Sequence, residues 1–105
     1  MKLVNFVKAI LMASVITSPV AMASELSDDE LCFTVYEASK FIMTKRQAGA
    51  PLPEVIRLFP TDLARGIVLL AYDQPPISNP EMQDRLIQEF ANLNYQGCLR
   101  AFSEF

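Results

Sequence analysis

The longest amphipathic pattern in the chain covers residues 78–102 and predicts a final helix. Ser78 and Glu81 have the S-x-x-E spacing of a capping box, and Pro80 falls at an early helical position that tolerates proline. At about 100° per residue, the apolar side chains of this segment share one wide face. That face consists of Met82, Leu86, Ile87, Phe90, Leu93, Gly97, Cys98 and Ala101.

A second S-x-x-E start, at Ser27 and Glu30, predicts another long helix, which we expect to end near Gly49. Asp28 and Asp29 complete an acidic first turn, which suits the positive end of a helix dipole. Capping explains this cluster better than a metal site, because calcium sites need more oxygen ligands on a looped backbone. The apolar face of this helix consists of Leu31, Cys32, Val35, Tyr36, Ala38, Ile42 and Met43.

Two phenylalanines of this first predicted helix, Phe33 and Phe41, fall outside its apolar face, beside Glu37 and Lys40. A spacing of eight residues places them within about 80° of each other and about 12 Å apart along the helix axis. Two interpretations are open. In one, the short middle helices cover both rings. In the other, the rings stay exposed, and Phe33, Glu37, Lys40 and Phe41 form a partner-binding site that another protein or a second copy covers.

Proline and glycine divide the middle of the chain into short segments. Residues 49–53 form a break, a short helix follows at about residues 53–59, and Pro60 ends it. Residues 62–72 are apolar over more than half of a helical circumference, a pattern typical of a buried helix, so we predict a core element there. A proline-containing loop, residues 74–79, then leads to the final helix.

The first 23 residues have the three parts of a secretory signal peptide. Lys2 and Lys8 form a positively charged start, residues 9–16 an apolar core, and residues 21–23 an A-x-A cleavage site. The apolar run is shorter than the roughly 20 residues that span a membrane. We expect cleavage after Ala23, which leaves a single helical domain, residues 24–105, in the periplasm or secreted; an uncleaved amphipathic anchor is the alternative.

The chain has two cysteines, Cys32 in the first predicted helix and Cys98 in the last. In a small exported domain such a pair predicts a structural disulfide. A redox-active pair is the alternative, but there is no C-x-x-C motif and neither cysteine adjoins a basic residue. The pattern as a whole predicts an all-α fold: a small disulfide-stapled bundle of about four helices, with the first and last helices antiparallel.

Cleavage of the signal peptide removes two of the nine basic residues and none of the 12 acidic ones, so the net charge changes from −3 to −5. An acidic domain without a basic patch binds nucleic acid poorly, because Lys and Arg contacts to phosphate dominate that affinity. Binding to anionic membranes is disfavoured for the same reason. We therefore predict a protein partner, for which a basic surface is electrostatically allowed, with a homodimer as a further option.

The sequence contains no histidine, which removes the commonest general base and the Ser–His and Cys–His nucleophile pairs. It also has no glycine-rich phosphate loop and no dinucleotide fingerprint. We predict a non-enzymatic protein without a cofactor or metal. Asn94 and Arg46 fall on apolar faces, and we interpret them as an internally bonded amide and a snorkelling side chain.

Four short patterns stand out along the chain: Leu31-Cys32, Ile42-Met43 with Arg46-Gln47-Ala48-Gly49, Ala71-Tyr72-Asp73, and Glu89-Phe90-Ala91 with Tyr95 and Cys98. Together they resemble the motifs of small two-cysteine exported proteins of Gram-negative bacteria and their phages, a resemblance that implies no particular chemistry. In architecture alone, the predicted bundle is similar to small helical periplasmic inhibitors of lysozyme, to immunity proteins against cell-wall-attacking effectors and to acid-stress periplasmic chaperones.

These observations together lead to one expected function and two alternatives. We expect a periplasmic protein-binding module that acts as an inhibitor or immunity protein against a cell-wall-degrading enzyme such as a lysozyme. The first alternative is an acid-stress chaperone that opens at low pH. The second is a structural accessory of an envelope complex.

Overall fold

The computed structural model describes residues 27–103, so the predicted signal peptide lies outside the described residues. Within them the chain forms four helices and no strand. The predicted all-α class and the small disulfide-linked bundle are confirmed. The helices are α1 (Asp28–Gln47), α2 (Leu52–Ile56), α3 (Asp62–Tyr72) and α4 (Pro80–Ser103).

Both ends of α1 are set by local sequence. Ser27 and Glu30 form the predicted capping box: the Ser27 hydroxyl accepts from the Glu30 amide at 3.1 Å, and the Glu30 carboxylate accepts from the Ser27 amide at 3.0 Å. After the helix, Gly49 adopts a positive φ of 88°, and the Ala50 amide donates back to the Lys45 carbonyl at 3.0 Å. This is the reversal for which glycine is favoured after a helix.

The start of α4 differs by one residue from the prediction. The helix begins at Pro80, and Asn79, not Ser78, caps it by accepting from the Met82 amide at 3.1 Å. Proline at the first helical position explains the shift, since it favours an extended backbone in the residue before it, which is the conformation of an N-cap. The capping box predicted for Ser78 and Glu81 is therefore wrong.

Helix α1 is the central element, and both α4 and α3 pack on it. The Cys32–Cys98 disulfide joins the start of α1 to the end of α4, with the two Cα atoms 5.5 Å apart. Further along, the Asn94 amide donates to the Ser39 hydroxyl at 3.0 Å, which confirms the predicted internal bond of Asn94. The core side chains are Val35, Ile42, Met43, Val55, Ile67, Val68, Ala71 and Phe90.

Helix α3 has the predicted bounds but is not buried all round. Its buried side chains, Ile67, Val68 and Ala71, face α1, whereas Leu63, Leu69 and Leu70 are 59%, 51% and 52% exposed. The reason is a shortage of neighbours: α2 has only five residues, and α3 and α4 have almost no close backbone approach to each other. The prediction of a core element is therefore confirmed for Ile67, Val68 and Ala71. It is wrong for Leu63 and Leu70, which also lie on the apolar part of the circumference but remain exposed.

Candidate functional site

The two phenylalanines singled out from the sequence, Phe33 and Phe41, are exposed on α1. Phe33 is 52% exposed and Phe41 is 44% exposed. The ring centroid of Phe41 lies 6.1 Å from that of Phe59, in the loop after α2. The interpretation in which the middle helices bury both rings is therefore wrong, and the predicted site is accessible.

Phe33 belongs to a cluster of three rings at the disulfide end of the bundle. Its ring stacks on Tyr36 with the centroids 5.7 Å apart, and Tyr36 meets Tyr95 of α4 edge-on at 5.8 Å. These are the two geometries that aromatic pairs prefer. The Tyr36 hydroxyl accepts from the Gln88 side-chain amide at 2.6 Å, which ties the cluster to α4 a second time. We call Phe33, Tyr36, Phe41 and Tyr95 the aromatic face.

Open depressions flank the ring of Phe33. One, of about 490 Å³, is lined by Phe33 and Tyr95 together with the acidic residues Asp29 and Glu30. A smaller one, of about 280 Å³, lies over the three rings and reaches Asn92. Phe33 thus stands between two hollows, a shape that can receive protruding side chains from another protein.

Charged residues of both signs surround the aromatic face. Asp29 precedes Phe33 by one helical turn and Glu37 follows it by one turn, so carboxylates flank this ring. The Lys40 ammonium lies 5.6 Å from the Tyr36 ring centroid, and the Lys45 ammonium lies 5.4 Å from that of Phe41. Aromatic faces attract cations at such distances.

The structure places the four predicted site residues on one side of α1 and adds two that the sequence analysis missed. Phe33 and Phe41 form separate contacts instead of one cluster. Tyr36 and Tyr95 are the missed residues: the helical periodicity places Tyr36 on the apolar face of the first helix, and no pattern predicts a site at Tyr95. Each lies within about one helical turn of a cysteine, so the predicted disulfide was the signal from which their proximity could have been inferred.

A polar cluster at the opposite end of α1 holds the loop between α3 and α4. The Arg46 guanidinium donates through Nε to the Gln74 carbonyl at 3.0 Å and lies 4.9 Å from the Tyr72 ring centroid. Arg46 is half-buried, and these two contacts of its guanidinium are additional to the snorkelling stem interpreted from the sequence. Gln47, which is buried, donates to the Pro75 carbonyl at 3.1 Å and accepts from the Ile77 amide at 2.7 Å.

Tyr72 completes this cluster and anchors the end of α3. Its hydroxyl donates to the Ala50 carbonyl at 2.5 Å. Burial raises the pKa of the Tyr72 phenol, and Glu54 raises it further, while Arg46 acts in the opposite direction. The raised pKa favours the neutral phenol, which is the form that donates. Because these side chains bond mainly to backbone groups, we interpret the cluster as structural.

Among residues 27–103, no group of three or more His, Cys, Asp or Glu side chains is arranged to hold a metal ion. None of the helices in this part of the chain combines the length and the hydropathy that crossing a membrane requires. The disulfide is consistent with an oxidising compartment.

In comparisons with protein-family models, with curated proteins and with solved structures, none matches this chain. Its function is therefore inferred from its own residues and their geometry.

Proposed function

We propose that this chain is a non-enzymatic, periplasmic protein-binding module whose aromatic face docks a basic protein, acting as an inhibitor or immunity protein against a cell-wall-degrading enzyme. The observation that carries the proposal is the half-exposed ring of Phe33, held in a cluster with Tyr36 and Tyr95 at the disulfide end. Exposed aromatic residues in a fixed arrangement are typical anchors of protein interfaces.

Preorganisation favours this surface as a binding site. Phe33 lies one residue from Cys32, and Tyr95 lies three residues from Cys98, so the covalent bond limits how far the rings can separate. Binding to an ordered surface avoids much of the entropy loss that immobilising side chains would require. The aromatic face therefore offers apolar contact area at a low ordering penalty.

The charges near Phe33 favour a basic partner. Asp29 and Glu30 line the larger depression beside its ring, and Glu37 lies one turn away on the other side. The chain carries a net charge of −3, which becomes −5 once the predicted signal peptide is removed. Complementary charge of this kind raises association rates and selects partners, and salt screens it. A Lys or Arg side chain entering the depression would meet carboxylates and ring faces together.

The proposed location outside the cytoplasm restricts which proteins this chain can meet as partners. The predicted signal peptide and the disulfide both suit an exported protein. Cell-wall-degrading enzymes act in the same compartment and are often basic. A lysozyme is thus the first partner to test, in agreement with the architectural similarity noted from the sequence.

The test is a binding titration of the exported protein against a basic lysozyme, repeated with a Phe33→Ala variant. Removing a central aromatic anchor typically costs about 2 kcal/mol or more, so we expect affinity to fall at least about 30-fold. Glu37→Gln should mainly slow association, and raising the salt concentration should weaken binding. Leu69→Ala is the matched control, because Leu69 is a similarly exposed apolar residue on α3, away from the aromatic face.

Thermal unfolding of each variant separates binding from folding. Phe33→Ala removes one ring pair from a half-exposed position, so its stability should fall by only about 1 kcal/mol. Equal affinity for wild type and Phe33→Ala would refute the aromatic face as the interface. If lysozyme does not bind wild type at all, the proposed partner is wrong. Parallel capture from periplasmic extract by wild type and Phe33→Ala then identifies any protein that depends on the ring.

A further inference from the structure

A second exposed surface lies on the other side of α1, between α3 and α4. The two helices both pack on α1 without closing on each other, and the gap between them is a groove of about 420 Å³. Val35 lies at its floor. We call this the apolar groove, with one wall formed by Leu63, Ile67 and Leu70 of α3 and the other by Leu93, Gly97 and Ala101 of α4.

We propose that the apolar groove is the interface of a homodimer, in which the exposed leucines of α3 in one copy enter the groove of the other. The proposal does not depend on the protein-binding function above. It starts from α3, a helix that is apolar over most of its circumference and is covered on one side only. A helix of this composition is normally buried, and a second copy would complete that burial.

A two-fold interface needs one patch that carries both a projection and a recess to receive it. The α3 wall supplies protruding side chains: Leu63 and Leu70 lie seven residues apart on the same side of the helix and are each more than half exposed. The α4 wall supplies the recess, because Gly97 and Ala101 have little or no side chain. A Cβ placed on Gly97 would meet no atom within 4 Å apart from its chain neighbours and the nearby backbone of its own helix, so the space there is open. One patch thus carries both the projection and the hollow.

Charge favours a second copy over an acidic or basic partner at this surface. None of the side chains that line the groove is charged, although the chain has a net charge of −3. Two copies repel each other where like charges meet, so they can associate most easily across a neutral patch. The lining also contains no charged group that would select a charged partner.

The size of the patch predicts a reversible dimer. Burying a whole leucine removes on the order of 100 Å² of apolar surface from water. Leu93 is 66% exposed, and Leu63 and Leu70 are each more than half exposed. At about 100 Å² for each whole leucine, the groove can bury roughly a few hundred Å² of apolar surface per copy. Standard interfaces use about 800 Å² per partner, and smaller ones belong to weaker complexes. We therefore expect a weak dimer that dissociates on dilution.

Sedimentation equilibrium of the exported protein, with its disulfide intact, tests the proposal over about 10 µM to 1 mM. Wild type should show a concentration-dependent monomer–dimer equilibrium that salt does not weaken. Leu93→Glu, which puts a charge into the groove at its most exposed residue, should weaken the dimer at least 30-fold or so. Leu58→Glu is the matched control: Leu58 is 56% exposed but does not line the groove, and this variant should dimerise like wild type.

A second variant without a new charge shows whether filling the groove is enough to prevent dimerisation. Gly97→Leu should fold, since the position is open, and should abolish dimerisation by occupying the recess. In a mixed sample of differently labelled copies, methyl contacts between Leu70 of one copy and Ala101 of the other should be detected. A monomer at all concentrations overturns the proposal, as does a dimer that survives both Leu93→Glu and Gly97→Leu. Phe33→Ala should leave the dimer unchanged, so the two proposals can fail separately.

Discussion

The aromatic face and the apolar groove lie on opposite sides of the same helix and differ in their chemistry. Phe33, on the aromatic face, and Val35, at the floor of the groove, are two residues apart, which is about 200° around a helix. The aromatic face combines rings with carboxylates and ammonium groups. The groove is lined by side chains without charge.

This difference shows how one small bundle can offer two kinds of exposed apolar surface. Where charges surround the rings, attraction depends on the charge of the partner and is screened by salt. Where charge is absent, association depends on shape and apolar area and salt does not weaken it. Salt should therefore weaken binding at the aromatic face and leave association through the groove unweakened, which is the simplest way to tell the two surfaces apart.

The largest effect should come from removing the disulfide, which supports both surfaces. In the double variant Cys32→Ser with Cys98→Ser, we expect the free energy of unfolding to fall by about 4 kcal/mol, because the bond closes a loop across 66 positions. Both surfaces should weaken, since Tyr95 and Gly97 lie beside Cys98. Urea unfolding, partner titration and sedimentation measure the three quantities. Loss at one surface only would show that the disulfide end is not their common support.

The next largest effect should follow from Gln47→Ala, which is remote from both surfaces. Gln47 is buried and holds Pro75 and Ile77, so its removal leaves backbone groups without partners and should cost about 1–3 kcal/mol. Gln88→Ala, at an exposed glutamine, should cost less than about 1 kcal/mol. Urea unfolding compares the two variants. Equal losses in both would contradict the structural role assigned to Gln47.

Tyr72→Phe should affect the apolar groove and not the aromatic face, because Tyr72 anchors α3, and α3 contributes only to the groove. We expect a loss of about 1 kcal/mol at neutral pH from the missing bond to the Ala50 carbonyl. Dimerisation should weaken while binding through the aromatic face stays the same. Weakened binding at the aromatic face with an intact dimer would reverse this assignment of α3.

The raised pKa of Tyr72 also predicts how stability depends on pH. The folded state keeps the phenol protonated to higher pH than the unfolded chain, whose tyrosine pKa is about 10. The contribution of Tyr72 is therefore fully present below about pH 10 and is lost as the pH rises through the folded pKa. Urea unfolding of wild type at alkaline pH should show this decline. The same series with Tyr72→Phe should show a smaller one, and parallel curves would contradict the prediction.

The smallest effect, and one of opposite sign, is expected for Gly97→Ala in the groove. Alanine favours a helix interior over glycine by about 0.5–1 kcal/mol, and its methyl group would meet no atom within 4 Å apart from its chain neighbours and the nearby backbone of α4. Gly49→Ala should instead destabilise, because residue 49 has a φ of +88°. Thermal unfolding distinguishes a gain from a loss. A loss in Gly97→Ala would mean that the groove is more closed than the structure shows.

The sequence alone predicted the features that depend on neighbours along the chain. The capping box of α1, the reversal at Gly49 and the bounds of α3 follow from capping groups, backbone preference and periodicity, which act over a few residues. The disulfide also followed from the sequence, since only two cysteines are present. The sequence identified Phe33 and Phe41 as site residues but did not decide whether their rings are exposed or covered. A helical projection gives the direction of a side chain around the helix axis and does not show which other element packs against it.

The tertiary structure decided which apolar sides are covered and which remain open. Tyr95 meets Tyr36, Gln47 reaches the loop at Ile77, and α3 leaves its leucines exposed because its neighbours are too few and too short to surround it. Each of these depends on residues far apart in sequence that are brought together by packing on α1. An amphipathic pattern states how much apolar surface a helix carries; only the number and position of the other helices determine how much of it is buried.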